Sequence, residues 1–149
     1  MDKVYRRAGG YAGAAWDAGI ATPVHASVPR DIAFDSAGNL YVVDDNTNKV
    51  YRRAGGYAGA ACDAGIATST ANPRGIAFDS ADNLYVVTDS GATQKIHRRA
   101  GGYAGPSWDA GIATPAVVSL NPWGIAFDPP PHTKPVSYTH LTLPTICSV

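Results

Sequence analysis

At 149 residues the chain is long enough for one domain with a moderate hydrophobic core. Its 12 basic and 12 acidic side chains cancel, so no bulk electrostatic pull toward nucleic acid or an anionic membrane exists. No apolar run approaches membrane-spanning length, and two cysteines cannot define a disulfide framework.

Taken in chain order, Lys3-Val4-Tyr5-Arg6-Arg7 opens the chain without the apolar centre of a signal peptide. Because Met1 falls in the middle of a repeat, that opening leaves export of the parent protein undecided. Ile32-Ala33-Phe34 predicts a first strand by its alternation of large and small side chains. Asp35–Asn39 supplies a turn from residues that accept left-handed geometry. Leu40-Tyr41-Val42-Val43 predicts a second strand, rich in β-branched and aromatic residues. After the Asp44–Asn48 loop, Val50-Tyr51-Arg52-Arg53 predicts a third, which Gly55-Gly56 breaks. A short outer strand follows within Tyr57–Thr68.

The same succession recurs. KVYRRAGGYAGAAWDAGIAT begins at Lys3, a near-copy at Lys49 and another at Lys95, a spacing of 46 residues each time. PRDIAFDSAGNLYVVD from Pro29 is repeated as PRGIAFDSADNLYVVT from Pro73 and begins again as PWGIAFDP at Pro122. Length differences are confined to the connector before each proline and to the loop after YVV, which marks both as loops. Four strands per period of this size is the pattern of a β-propeller blade. Tyr41-Val42-Val43 is apolar on both faces, as expected of a sheet covered on both sides by neighbours.

The succession P-x-G-I-A-F-D-x-x-x-N-L-Y-V-x-D, a short Asn-containing loop, then K-V-Y-R resembles the NHL repeat, and YAG…DAGIAT is similar to the glycine-rich connector of bacterial NHL arrays. The resemblance covers about Lys3 to Asp128 and departs at Thr47 and Thr88. It implies an all-β fold: about two and a half four-stranded antiparallel blades of a six-bladed NHL β-propeller. Residues 1–27 are expected to end a preceding blade, 28–68 to form one blade and 72–114 the next, with a third starting over 121–134. The tail from 135 to 149 resembles none of this. Val136–Thr145, VSYTHLTLPT, is similar to a translated sequencing adapter, which implies a non-native, metagenomic end to the repeat sequence.

Propellers bind ligands at the central channel and on the face made by the connectors and the loops after the second strand. In this chain that face is expected to hold Arg30, Arg74 and Trp123, which share one position after the repeated proline. Asp44, Asp45 and Asn46 join it from one loop, and Asp89 with Ser90 from the next. Asp44-x-Asn46-x-Asn48 has the opening spacing of a calcium loop, yet no glycine follows and the chain has no glutamate. The segment is expected to be a solvated turn without a cofactor, rather than a calcium site at Asp44, Asn46 and Asn48.

The arginine pairs Arg6-Arg7, Arg52-Arg53 and Arg98-Arg99 recur on each third strand, with members on opposite faces. Asp17, Asp63 and Asp109 offer them internal partners. Cys62 stands where Trp16 and Trp108 stand in sister copies and reads as drift. His25, His97 and His132 fall at no matching loop positions, so catalysis lacks a constellation. The leading expectation is a non-catalytic interaction scaffold from a bacterial exported or surface protein, taking a protein or carbohydrate ligand without membrane insertion. A metal-dependent six-bladed propeller hydrolase or lyase, lactonase-like, is the alternative, and a nucleic-acid-binding NHL domain the second. A blade stabilises mainly through its neighbours, so open blade faces are expected to make the chain self-associate.

Overall fold

A computed structural model describes residues 3–9, 12–13, 15–22, 28–90, 93–113 and 123–127. The expected positions His25, His132 and the 135–149 tail lie outside them. The described residues form three antiparallel sheets. The first pairs β1 (Lys3–Val4) with β2 (Ile20–Ala21). The second runs β3 (Pro29–Phe34), β4 (Leu40–Asp44), β5 (Lys49–Arg53) and β6 (Ile66–Ala67), each strand pairing with the next. The third repeats this order with β7 (Pro73–Phe78), β8 (Leu84–Ser90), β9 (Thr93–Arg99) and β10 (Ile112–Ala113).

Registers repeat as well as order. Ile32 faces Val42 and Phe34 faces Leu40, while Ile76 faces Val86 and Phe78 faces Leu84. Both first strands slip register at the same point, after Pro29 and after Pro73. Lys3↔Ala21 in the first sheet matches Lys49↔Ala67 in the second, so β1 and β2 are the outer half of a blade. These are consecutive propeller blades: an outer pair, then two complete four-stranded units. The expected outer strand within Tyr57–Thr68 is only Ile66–Ala67. The segment before it begins as a tight 3-10 turn over Gly56–Ala58.

The sheets stack face to face. Tyr41 and Val43 of β4 and Val50 of β5 pack against Ile76, Leu84 and Val86 of the next blade. Leu40 and Val42, on the other side of β4, are equally closed off from solvent. Tyr41 meets Phe78 at 4.7 Å between ring centroids, and one blade later Tyr85 meets Phe127 at 4.6 Å. Segment 123–127 therefore sits where a third blade's first strand belongs, although no strand pairing forms there. Polar contacts cross between blades too: Ile76 N donates to Asp31 Oδ2 (3.0 Å) and Trp108 Nε1 to the Ala67 carbonyl (2.8 Å).

The polar letters of the repeat are latches. Asp35 accepts from Asn39 N, Asn39 Nδ2 and Tyr41 Oη, each at 2.8 Å, and Asn39 Oδ1 accepts from Gly55 N at 3.0 Å. Asp79, Asn83, Tyr85 and Gly101 repeat the arrangement. The latch draws the Gly55-Gly56 turn against the first hairpin so closely that a Cβ on Gly56 would lie 2.3 Å from the Gly38 carbonyl oxygen. Burial alone would raise the Asp35 and Asp79 carboxyls. The hydrogen bonds from Asn39 and Tyr41, and from Asn83 and Tyr85, outweigh it and hold both below the usual aspartate value. A depressed folded-state pKa gives stability that is complete above the unfolded value and fades as pH falls through the folded one. The urea midpoint is therefore expected to decline as pH drops below about 4, and Asp35→Asn with Asp79→Asn to flatten that decline. An unchanged slope in the double variant would assign acid sensitivity elsewhere.

Candidate functional site

The third strands carry a second repeated clamp. Asp17 Oδ1 accepts from Arg6 N (3.1 Å) and Gly19 N (2.9 Å). Asp63 does the same for Arg52 and Gly65, and Asp109 for Arg98 and Gly111. The aspartates thus serve the arginines' backbone first. The side-chain ion pairs are long, 3.9 Å for Arg6–Asp17 and 3.7 Å for Arg52–Asp63. Arg6 and Arg52 turn instead onto the rings of Tyr57 and Tyr103 of the following blade, at 4.7 and 5.2 Å. Tyr103 Oη donates to Asp63 Oδ1 at 2.8 Å, and burial, reinforced by this bond, raises the phenol's pKa. These contacts occupy the Arg6 and Arg52 guanidinium groups, and Arg99 lies likewise over the Trp108 ring, 5.7 Å from its centroid.

His97 lies within β9, paired with Val86, at 3% exposure and with Nδ1 at 3.4 Å from the Asp109 carbonyl. Cys62 is half-buried, and desolvation pushes its thiol up, away from the reactive thiolate.

At the opposite end of the sheets from the Asp35–Asn39 turn, the expected ligand face is a row of alternating charge. Arg30 Nη2 lies 2.6 Å and Nε 3.0 Å from Asp45 Oδ2. The same oxygen receives Arg74 Nη1 from the next blade at 3.1 Å. Arg74 Nη2 then reaches toward Asp89 at 3.8 Å, and its guanidinium lies over the Trp123 ring, 5.5 Å from the centroid. Arg30, Asp45, Arg74, Asp89 and Trp123 are thus brought together in one line across the blades. Asn46 is an exposed residue of the turn beside it. Trp123 is 66% exposed.

Asp44 does not belong to that surface. It is fully buried, with Oδ2 accepting from Val28 N (2.8 Å) and Oδ1 from Thr47 N (2.8 Å) and Thr47 Oγ1 (2.7 Å). Asn48 Oδ1 accepts from Asn72 N at 2.8 Å. The turn is therefore a hydrogen-bonded structural element and not the solvated loop its composition predicts. Burial of β4 through its last residue carries Asp44 inward.

The bridging role of Asp45 is invisible in any single copy. Its signal is the Arg–Asp pair at the same separation in each blade, Arg30 with Asp45 and Arg74 with Asp89. Among the described residues no helix is long and apolar enough to cross a membrane. Compared with protein-family models, curated proteins and solved structures, the chain matches none.

Proposed function

We propose that these blades belong to an NHL-type propeller that acts as a non-catalytic interaction scaffold, with the Arg30–Asp45–Arg74–Asp89–Trp123 row as its binding face. The carrying observation is that one position on a repeated backbone holds three different presentations. Arg30 is pinned to its own blade's acid, Arg74 is shared between two acids and a ring, and Trp123 is largely bare. A fixed frame with changeable side chains suits recognition, and an exposed tryptophan within a rim of charge is a common anchor of interfaces. The latches and clamps, by contrast, are alike in every copy among the described residues and serve the fold.

Ile32 and Phe34, at 42% and 53% exposure, present an open apolar face where their twins Ile76 and Phe78 are packed, which supports association between copies of the chain. The binding face is tested by panning a displayed peptide library on the chain. Most independent clones are expected to lose binding to Arg30→Ala/Trp123→Ala and to keep it on Ala37→Arg/Ser80→Arg at the other end of the sheets. Clones insensitive to the first pair of substitutions would remove the reading.

A further inference from the structure

The charged row has one rung that differs from its repeat. Asp45 holds two guanidinium groups, that of Arg30 in its own blade at 2.6 Å and that of Arg74 in the following blade at 3.1 Å. Asp89 is the same residue one blade on, and its side chain is as enclosed, 12% exposed against 13% for Asp45. Its own-blade arginine, Arg74, stands off at 3.8 Å because Arg74 leans toward Asp45. The following-blade position that would deliver a second guanidinium holds Trp123. Among the described residues, Asp89 is therefore a largely desolvated carboxylate with one distant counter-charge where its twin has two close ones. Such a group gains from an added cation more than an exposed carboxylate does.

Trp123 completes the site. Its ring already accepts one guanidinium, that of Arg74, and two thirds of the residue remains open to solvent. An indole face and an under-neutralised carboxylate that share Arg74 as a neighbour select a flat, delocalised cation able to stack on the one and donate to the other. Resting on the binding face proposed above, we infer that Asp89 and Trp123 form a subsite for the arginine side chain of a partner polypeptide. The partner's guanidinium takes the rung that an arginine fills at Asp45. A polypeptide is the occupant because the row continues past Asp89 across two blades, Arg74–Asp45–Arg30, with alternating charge that an extended segment can follow.

The test uses the whole chain and three peptides, acetyl-Gly-Gly-Xaa-Gly-Gly-amide with arginine, lysine or citrulline at the centre. Binding is read from the indole N–H resonance of Trp123, assigned by its loss in Trp123→Phe. The Trp108 indole, which donates to the Ala67 carbonyl, reports that the blades remain stacked. The arginine peptide is expected to bind about tenfold more tightly than the citrulline peptide, with lysine between them. In Asp89→Asn that preference is expected to shrink to about twofold or less, with the Trp108 resonance unmoved. Equal binding of arginine and citrulline, or a preference that survives Asp89→Asn, would overturn the subsite. Library clones that map to the face yet ignore arginine-to-citrulline exchange would overturn it too, leaving the binding face in place. Clones that avoid the face altogether would remove the face itself.

Discussion

Ile76→Ala is expected to lower the unfolding free energy by about 2–4 kcal/mol, and Ile32→Ala by about 1 kcal/mol or less. The two isoleucines occupy the same position of the same motif, I-A-F-D, in successive first strands. Local propensity, register partner and strand geometry are therefore matched, with Ile32 opposite Val42 and Ile76 opposite Val86. What differs is the neighbour. Ile76 is 2% exposed, set against Tyr41, Val43 and Val50 of the preceding blade, whereas Ile32 is 42% exposed. Truncation at Ile76 removes apolar surface and opens a cavity that rigid sheets cannot close. Truncation at Ile32 removes surface that water already reaches. Urea denaturation of the two variants measures inter-blade packing directly, because intra-blade terms cancel between them. Equal losses would mean that blade stacking is not the source of stability, and the architecture described above would fail with it.

Most of the architecture was legible because the repeat announces its own boundaries. Alternation in Ile32-Ala33-Phe34, the apolar run Leu40–Val43 and the Asp35–Asn39 turn each predict one strand or one reversal, and all form. Their repetition at Ile76, Leu84 and Asp79 makes chance agreement implausible. The polar side chains were harder to place. Asp35 reads from sequence as a turn former, yet its main service is to a tyrosine hydroxyl and an asparagine that in turn holds Gly55. Likewise the DAGIAT aspartates read as ion-pair partners, but they accept mainly from the backbone of the neighbouring strand. Periodicity reports which face a residue occupies and says nothing of which donor it meets. The charged row across the loops was only half legible for the same reason. Arg30, Arg74 and Trp123 align by motif, whereas the reach of Arg74 back to Asp45 depends on how two blades are set against one another. Asp44 was misplaced because a charged residue beside Asp45 and Asn46 looks like loop, and only its pairing with Pro29 and Lys49 shows it to be the buried end of β4.

Asp44→Ala is expected to cost about 2–4 kcal/mol, since it takes the acceptor from the Val28 and Thr47 backbone N–H groups and the Thr47 hydroxyl, all part-buried, and leaves a cavity where a fully buried side chain stood. The next blade already contains the contrasting case. Thr88 occupies the Asp44 position, is equally buried, and its Oγ1 has no hydrogen-bond partner among the described residues. A hydroxyl desolvated without compensation opposes folding, so Thr88→Val, which keeps the shape and the β-branch, is expected to be neutral or stabilising by up to about 1 kcal/mol. The two substitutions therefore move stability in opposite senses at one structural position. Chemical denaturation of both resolves it. Were Thr88→Val as damaging as Asp44→Ala, the hydroxyl would have to be bonded after all, and the two loops would be built on the same hydrogen-bonding plan despite their different lengths. Were Asp44→Ala harmless, the turn after β4 would be held by its own backbone, and the carboxylate would be free to face a ligand.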